Sequence, residues 1–216
     1  RTWFKEHTID HIPFLKLKVK SRPELIALHD PIEVDIETNA KHITPHEFNK
    51  FYEKEKENIV VLDVRNKIES DVGRFKDAIP LDTETFRETK DALIKLKPKL
   101  KGKKVLMYCT GGIRCEIASH ILQEEKITDL YQLNGGVYNY CLQFPDKLFE
   151  GACYVFDDRM TVSFQKDGSV PFGEDIPVEK AITNCLICDK KSARVIDDDR
   201  DGKRTQVVCC KACDDK

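Results

Sequence analysis

The chain has 216 residues, 34% of them charged, with a formal net charge of −2; that length suits one medium domain plus something smaller, and its longest apolar runs, such as Ile59 to Leu62, fall far short of the ~20 residues of a membrane span. The near-neutral balance does not advertise a nucleic-acid protein, although 36 lysines and arginines leave material for a local basic patch. Nine cysteines, an odd number with CxxC pairs among them, argue against a secreted disulfide scaffold and for a reducing cytoplasm with thiolate chemistry and a metal site.

The start, Arg1-Thr2-Trp3-Phe4-Lys5-Glu6, is polar and lacks a signal-peptide pattern; with no initiator Met, the chain is expected to be an excised fragment. Residues 1–38 read as the tail of a preceding domain or an N-terminal arm. Within them Phe14, Leu15, Leu17 and Val19 suggest a strand with Lys16, Lys18 and Lys20 opposite. Those lysines suit a solvated edge that discourages aggregation, with nucleic-acid contact as the alternative.

Residues 39–160 alternate between strand and helix patterns. Thr44 and Pro45 cap and open a helix through Phe48, Phe51 and Tyr52. Ile59 to Val64 is a β-branched run of the kind a buried parallel strand shows. A helix is expected over 84–97, with Phe86, Leu93, Ile94 and Leu96 inward. Lys104 to Tyr108 is the next strand, Arg114 to Glu125 the next helix, and Asp129 to Leu133 a further strand that Gly135-Gly136 leads into another helix. Ala152 to Phe156 closes the series as a strand ended by Asp157-Asp158-Arg159. The order implies an α/β domain with a mainly parallel sheet flanked by helices. Residues 161–216 read as a linker followed by a cysteine-rich zinc-binding segment.

The chemistry concentrates at Cys109-Thr110-Gly111-Gly112-Ile113-Arg114, between a strand and a helix. Sites in open α/β sheets lie beyond the carboxyl ends of the strands. Gly111 and Gly112 let the backbone curl so that amides aim at the sulfur, and the helix N-terminus adds its positive end. Both effects stabilise a thiolate, a nucleophile able to carry a persulfide or an oxidised state. The bland alternative, Cys109 as a small buried hydrophobe, leaves the two glycines and the arginine unexplained. Cys115 either resolves a modified Cys109 as a disulfide or packs beneath the loop. Arg114 either orients an anion or is a surface residue. Asp63 is expected to accept hydrogen bonds from loop amides, and Arg65 and Arg74 are candidates for phosphate contact. Asp157, Asp158 and Arg159 read as a local ion-pair and turn network. His7 with His11, and His42 with His46, read as exposed.

Asp63-Val64-Arg65 followed later by the short cysteine loop resembles the rhodanese superfamily. Related tyrosine phosphatases have five residues between Cys and Arg. Four separate Cys109 from Arg114, a loop suited to a sulfur-sized group. More narrowly, Tyr108 to Glu116, Phe14 to Lys20, Asp63 to Asn66, Tyr131 to Gly136 and Val155 to Arg159 resemble the tRNA uridine(34) hydroxylase family of rhodanese-domain proteins. That resemblance implies oxygen-dependent conversion of the wobble uridine of tRNA to 5-hydroxyuridine, with Cys109 as the essential cysteine. It also implies that most of an N-terminal ferredoxin-like domain is missing, and Val64 stands where a Thr is expected. Sulfurtransfer from thiosulfate or a protein persulfide donor, and a silent partner-binding module, are the alternatives. No residue pattern identifies a redox cofactor.

Cys185-Leu186-Ile187-Cys188 and Cys210-Lys211-Ala212-Cys213 supply four thiolates from two knuckles. That donor set suits a closed, tetrahedral structural zinc, whose binding would fold a segment too short for a core of its own. Cys209 is a spare able to replace Cys210.

Overall fold

The computed structural model describes residues 39–167, 169–170, 176–199 and 202–215, with isolated positions before them (16, 19, 21, 26, 28, 32 and 34). The strand expected over 14–20 therefore lies outside the described residues, apart from Lys16 and the 88% exposed Val19; His7 and His11 lie outside them too.

The elements run β1 Lys41–Ile43, α1 Pro45–Lys54, β2 Ile59–Asp63, α2 Lys67–Val72, β3 Gly73–Phe75, β4 Ile79–Pro80, α3 Thr89–Leu100, β5 Lys104–Tyr108, α4 Ile113–Glu124, β6 Leu130–Leu133 and α5 Gly136–Gln143. Then follow β7 Phe149–Gly151, β8 Cys153–Tyr154, β9 Thr161–Val162, β10 Val195–Asp198, β11 Thr205–Val208 and α6 Lys211–Asp214. Thr44 caps α1 reciprocally with Glu47: the Glu47 amide donates to Thr44 Oγ1 at 3.2 Å, and the Thr44 amide to Glu47 Oε2 at 2.8 Å.

A parallel five-stranded sheet, ordered β1-β6-β5-β2-β4, forms the centre. Because both faces are covered, the inner strands β2 and β5 are apolar along most of their length. Leu62, Val64, Val105, Met107 and Cys109 point to one side and meet Leu93 and Leu100 of α3 and Ile117, Ala118, Ile121 and Leu122 of α4. Val61, Leu106 and Tyr108 point to the other, against Phe48 and Tyr52 of α1 and Val137, Tyr140 and Cys141 of α5. Ile26, Leu28, Ile32 and Val34 pack on the α3–α4 side.

Two expectations need correction. Ile94 is 40% exposed and faces away from the core that buries Leu93. The strand expected over Ala152 to Phe156 is shortened to β8, Cys153–Tyr154, which pairs with β9, and Phe156 lies in the turn between the two. In the C-terminal segment β10 and β11 form a hairpin in which Ile196 faces Val207, with Asp197 and Asp198 within β10. Its loop closes through the Gly202 amide on the Asp199 carbonyl. This hairpin packs on the rest of the chain, with Val195 and Val208 against Val72 and Tyr154.

Candidate active site

β5 ends where the chain turns sharply into α4, and the turn holds Cys109. Gly112 is the cap residue of α4 with φ of 90°, a conformation that costs a side chain about 1–2 kcal/mol. This turn brings the Gly112 amide to 3.0 Å from Cys109 Sγ. The sulfur is buried among α4 and the strand ends, and burial alone would raise its pKa. The Cys115 thiol, the Arg114 charge and the amides of Arg114 and Gly112 outweigh that, and the pKa is pushed down to about 5. Cys109 is therefore a thiolate at neutral pH. Cys115 moves the other way: burial first, then the neighbouring Cys109 sulfur, push its thiol well above the ordinary range. It is fully buried in the α3–α4 core, its sulfur within hydrogen-bonding reach of Cys109.

Arg114 is neither a surface residue nor open to an anion. Its two terminal nitrogens donate to the two Glu69 carboxylate oxygens at 2.6 and 2.7 Å, and Thr110 Oγ1 donates to Glu69 Oε2 at 3.1 Å. Burial would weaken the guanidinium's charge, and the Glu69 carboxylate holds it above its ordinary range. The loop is thus clamped at both ends by one carboxylate. Glu69 escaped the sequence reading. Its local signal was the Asn66-x-x-Glu69 capping box, in which the Asn66 amide donates to Glu69 Oε1 at 3.3 Å.

Asp63 and Arg65 form a second buried centre just below. Arg65 donates to Asp63 from its amide at 3.1 Å, from Nε at 2.9 Å and from Nη2 at 2.6 Å. Ser70 Oγ and Tyr108 Oη also donate to Asp63. The donors are these side chains and the Arg65 amide, not the cysteine-loop amides. Arg65 is fully buried and also donates to the Gly73 carbonyl, which closes it off from a phosphate. Arg74 is partly buried and donates to the Ser70 carbonyl. From the other side α5 supports the loop. The Val137 and Tyr138 amides donate to the Cys109 and Thr110 carbonyls at 2.9 and 3.2 Å. Asp157 accepts three hydrogen bonds from Arg159.

His42 is not simply exposed: its Nε2 lies 3.0 Å from Glu116 Oε1. Asn39 and Gln132 also donate to that carboxylate. His46 is exposed and packs edge-on against Phe144.

The four knuckle cysteines converge. Their sulfurs all lie within 4.8 Å of one another, which fits a single ion bound at ~2.3 Å by each thiolate, so the cluster can hold a metal ion. The Asp189 amide on the Cys185 carbonyl shapes the first knuckle, and the Cys213 amide on the Cys210 carbonyl the second. The Leu186 amide on the Val208 carbonyl sets the first beside the end of β11. Cys209 is buried beside the set, its sulfur within hydrogen-bonding reach of Cys185 and its backbone amide tied to the Arg194 carbonyl, but it is not one of the four converging sulfurs.

Among the described residues, no helix is long and apolar enough to cross a membrane. The rhodanese-like domain family matches residues 44–143, and the rhodanase C-terminal family matches residues 150–216. A protein of Cytophaga hutchinsonii named tRNA uridine(34) hydroxylase is 37% identical over 99% of this chain and 64% of its own length. One of the same name from Bacillus cereus is 41% identical over 87% of this chain and 61% of its own length. The chain thus spans under two thirds of these relatives. Among solved structures, the rhodanese-like domain from Anabaena sp is similar over 51% of this chain and 78% of that one, at 17% identity and a TM-score of 0.43.

Proposed function

The chain belongs to the rhodanese-domain family of the tRNA uridine(34) hydroxylases, and from that premise we propose that it is the catalytic part of a tRNA-modifying oxidoreductase. The reaction is oxygen-dependent 5-hydroxylation of the wobble uridine, with the Cys109 thiolate as its reactive centre. The observation that carries this reading is the Gly112 amide on a sulfur whose pKa is about 5. Such a sulfur is a nucleophile without a separate base. In this reading Thr110, Gly111, Gly112, Ile113 and Arg114 shape the loop, Asp63 and Arg65 support it from below, and Cys115 keeps a thiol beside the reactive sulfur.

Residues 39–160 form the rhodanese unit and 161–216 the metal-bearing segment. Zinc suits the four thiolates of Cys185, Cys188, Cys210 and Cys213, and with no open position it would supply folding energy rather than chemistry. The substrate is tRNA and the compartment the cytoplasm.

The same thiolate also favours a second reading, sulfurtransfer, because an amide-stabilised sulfur suits a persulfide taken from a sulfur donor. One experiment separates the two. The full-length protein is incubated with unmodified tRNA under isotope-labelled dioxygen, and the nucleosides are weighed. Labelled 5-hydroxyuridine supports hydroxylation. Unchanged tRNA, together with thiosulfate-dependent persulfide on Cys109, replaces it with sulfurtransfer.

A further inference from the structure

Phe156 is an aromatic ring held out in solvent beside the reactive loop, 64% exposed. The turn that carries it is closed on itself. The Val155 amide donates to the Met160 carbonyl at 2.8 Å, and the Met160 amide to the Asp157 carbonyl at 3.0 Å. Asp157 and Arg159 are ion-paired within the same turn. Tyr154 meets the ring edge-on, with centroids 5.3 Å apart, and is itself anchored by its hydroxyl on Gln206. The Arg114 guanidinium, from the end of the cysteine loop, lies over the ring at 5.6 Å from its centroid. On the loop, Ile113 is 47% exposed, and Gly111 faces open space, where an added Cβ would meet no atom within 4 Å. A rigidly presented ring with a cation over it, next to an open loop, has the make-up of a nucleobase platform. Unpaired RNA bases stack on aromatic rings and on arginine planes, and such stacking tolerates any base because every base has a π-face.

We propose that Phe156, backed by the buried Arg114, is the platform on which the target pyrimidine base of an RNA loop stacks as it is offered to the Cys109 loop. This rests on the tRNA-modifying reading above and adds how the base is held. Removing a stacking ring weakens binding roughly 5- to 150-fold.

The test uses the full-length protein and unmodified tRNA. Phe156→Ala raises KM by that factor with a smaller change in kcat; Phe156→Tyr and Phe156→Trp restore KM, and Phe156→Leu does not. Full rescue by Leu, or a KM unchanged in Phe156→Ala while the wild type hydroxylates, overturns the platform alone. A wild type that makes no 5-hydroxyuridine overturns the function reading and the platform with it. Should Phe156→Ala fail to fold, fluorescence decides. Trp3 is the one tryptophan of these 216 residues, so Phe156→Trp, in a background where Trp3 and any further tryptophan of the full-length protein are replaced by Phe, reports on the site alone. An anticodon hairpin with uridine at the target position quenches it, and the same hairpin with an abasic site does not. Equal quenching by both hairpins overturns the proposal, as does a concentration-dependent dimer that Phe156→Ala dissolves, since a second copy would then be what covers the ring.

Discussion

A sulfur buried as Cys109 is would ordinarily stay protonated, since a charge in an apolar site is costly. Its neighbours reverse this: one amide at 3.0 Å, a second amide from Arg114, the guanidinium charge and the Cys115 thiol. With the folded pKa at about 5, below the ordinary thiol value, the sign is fixed. The stability gained from this thiolate is fully present above the ordinary thiol range and is lost as pH falls through about 5. Ultraviolet thiolate absorbance, compared with Cys109→Ser, should show one thiol titrating near pH 5, and activity should fall along the same curve. A midpoint near the ordinary thiol value would remove the argument for a ready nucleophile. Glu69 carries the next prediction. Glu69→Gln breaks a buried pair and leaves Arg114 without its carboxylate, so urea unfolding should show a loss of about 3 kcal/mol or more. A loss under ~0.5 kcal/mol would mean that the clamp contributes nothing.

The elements place the loop by close approach as much as by their own order. Gly136, with φ of 66°, opens α5 where a Cβ would lie 2.4 Å from the Thr110 carbonyl oxygen and 2.5 Å from that of Cys109. Gly136→Ala should therefore cost about 2–4 kcal/mol, from left-handed strain plus overpacking, and should cut activity because the strain falls on the cysteine loop. A variant with wild-type stability and turnover would contradict this. The β5-loop-α4 unit could be read from the sequence because its signals are contiguous: an apolar strand, Cys109, two glycines and a helix carrying Ile117, Ala118, Ile121 and Leu122. The Glu69–Arg114 clamp could not, since its partners are 45 residues apart and only tertiary packing joins them. Phe156 read as part of a strand because it follows an apolar run. The chain instead turns back after β8, closed by the Val155 amide on the Met160 carbonyl, and the ring stands in that turn. His42 read as exposed because its partner Glu116 lies on a different element.

At the scale of the whole molecule, two kinds of centre hold the chain together. The sheet and its helices bury a large two-sided core. The C-terminal segment adds only a short hairpin, whose Val195 and Val208 lean on Val72 and Tyr154. It also packs Ala181 and Ala193 against Ala152, pairs Arg194 with Asp214, and gathers four cysteines able to hold a metal ion; the paired CxxC spacing made that cluster legible while the β10–β11 hairpin between the knuckles was not. Metal analysis should find one zinc per chain. Chelation should loosen the hairpin in hydrogen exchange, while the amides of β2 and β5 stay protected. Absence of bound metal, or exchange spreading equally into the central sheet, would count against a separate structural site. The tightest test of the account joins fold to reaction: nucleoside mass spectrometry of tRNA from cells lacking this activity, after expression of the full-length protein or its Cys109→Ser variant. The account predicts 5-hydroxyuridine and its derivatives with the wild type and none with Cys109→Ser at equal protein levels. Equal amounts with both would contradict the assignment of Cys109 as the reactive centre.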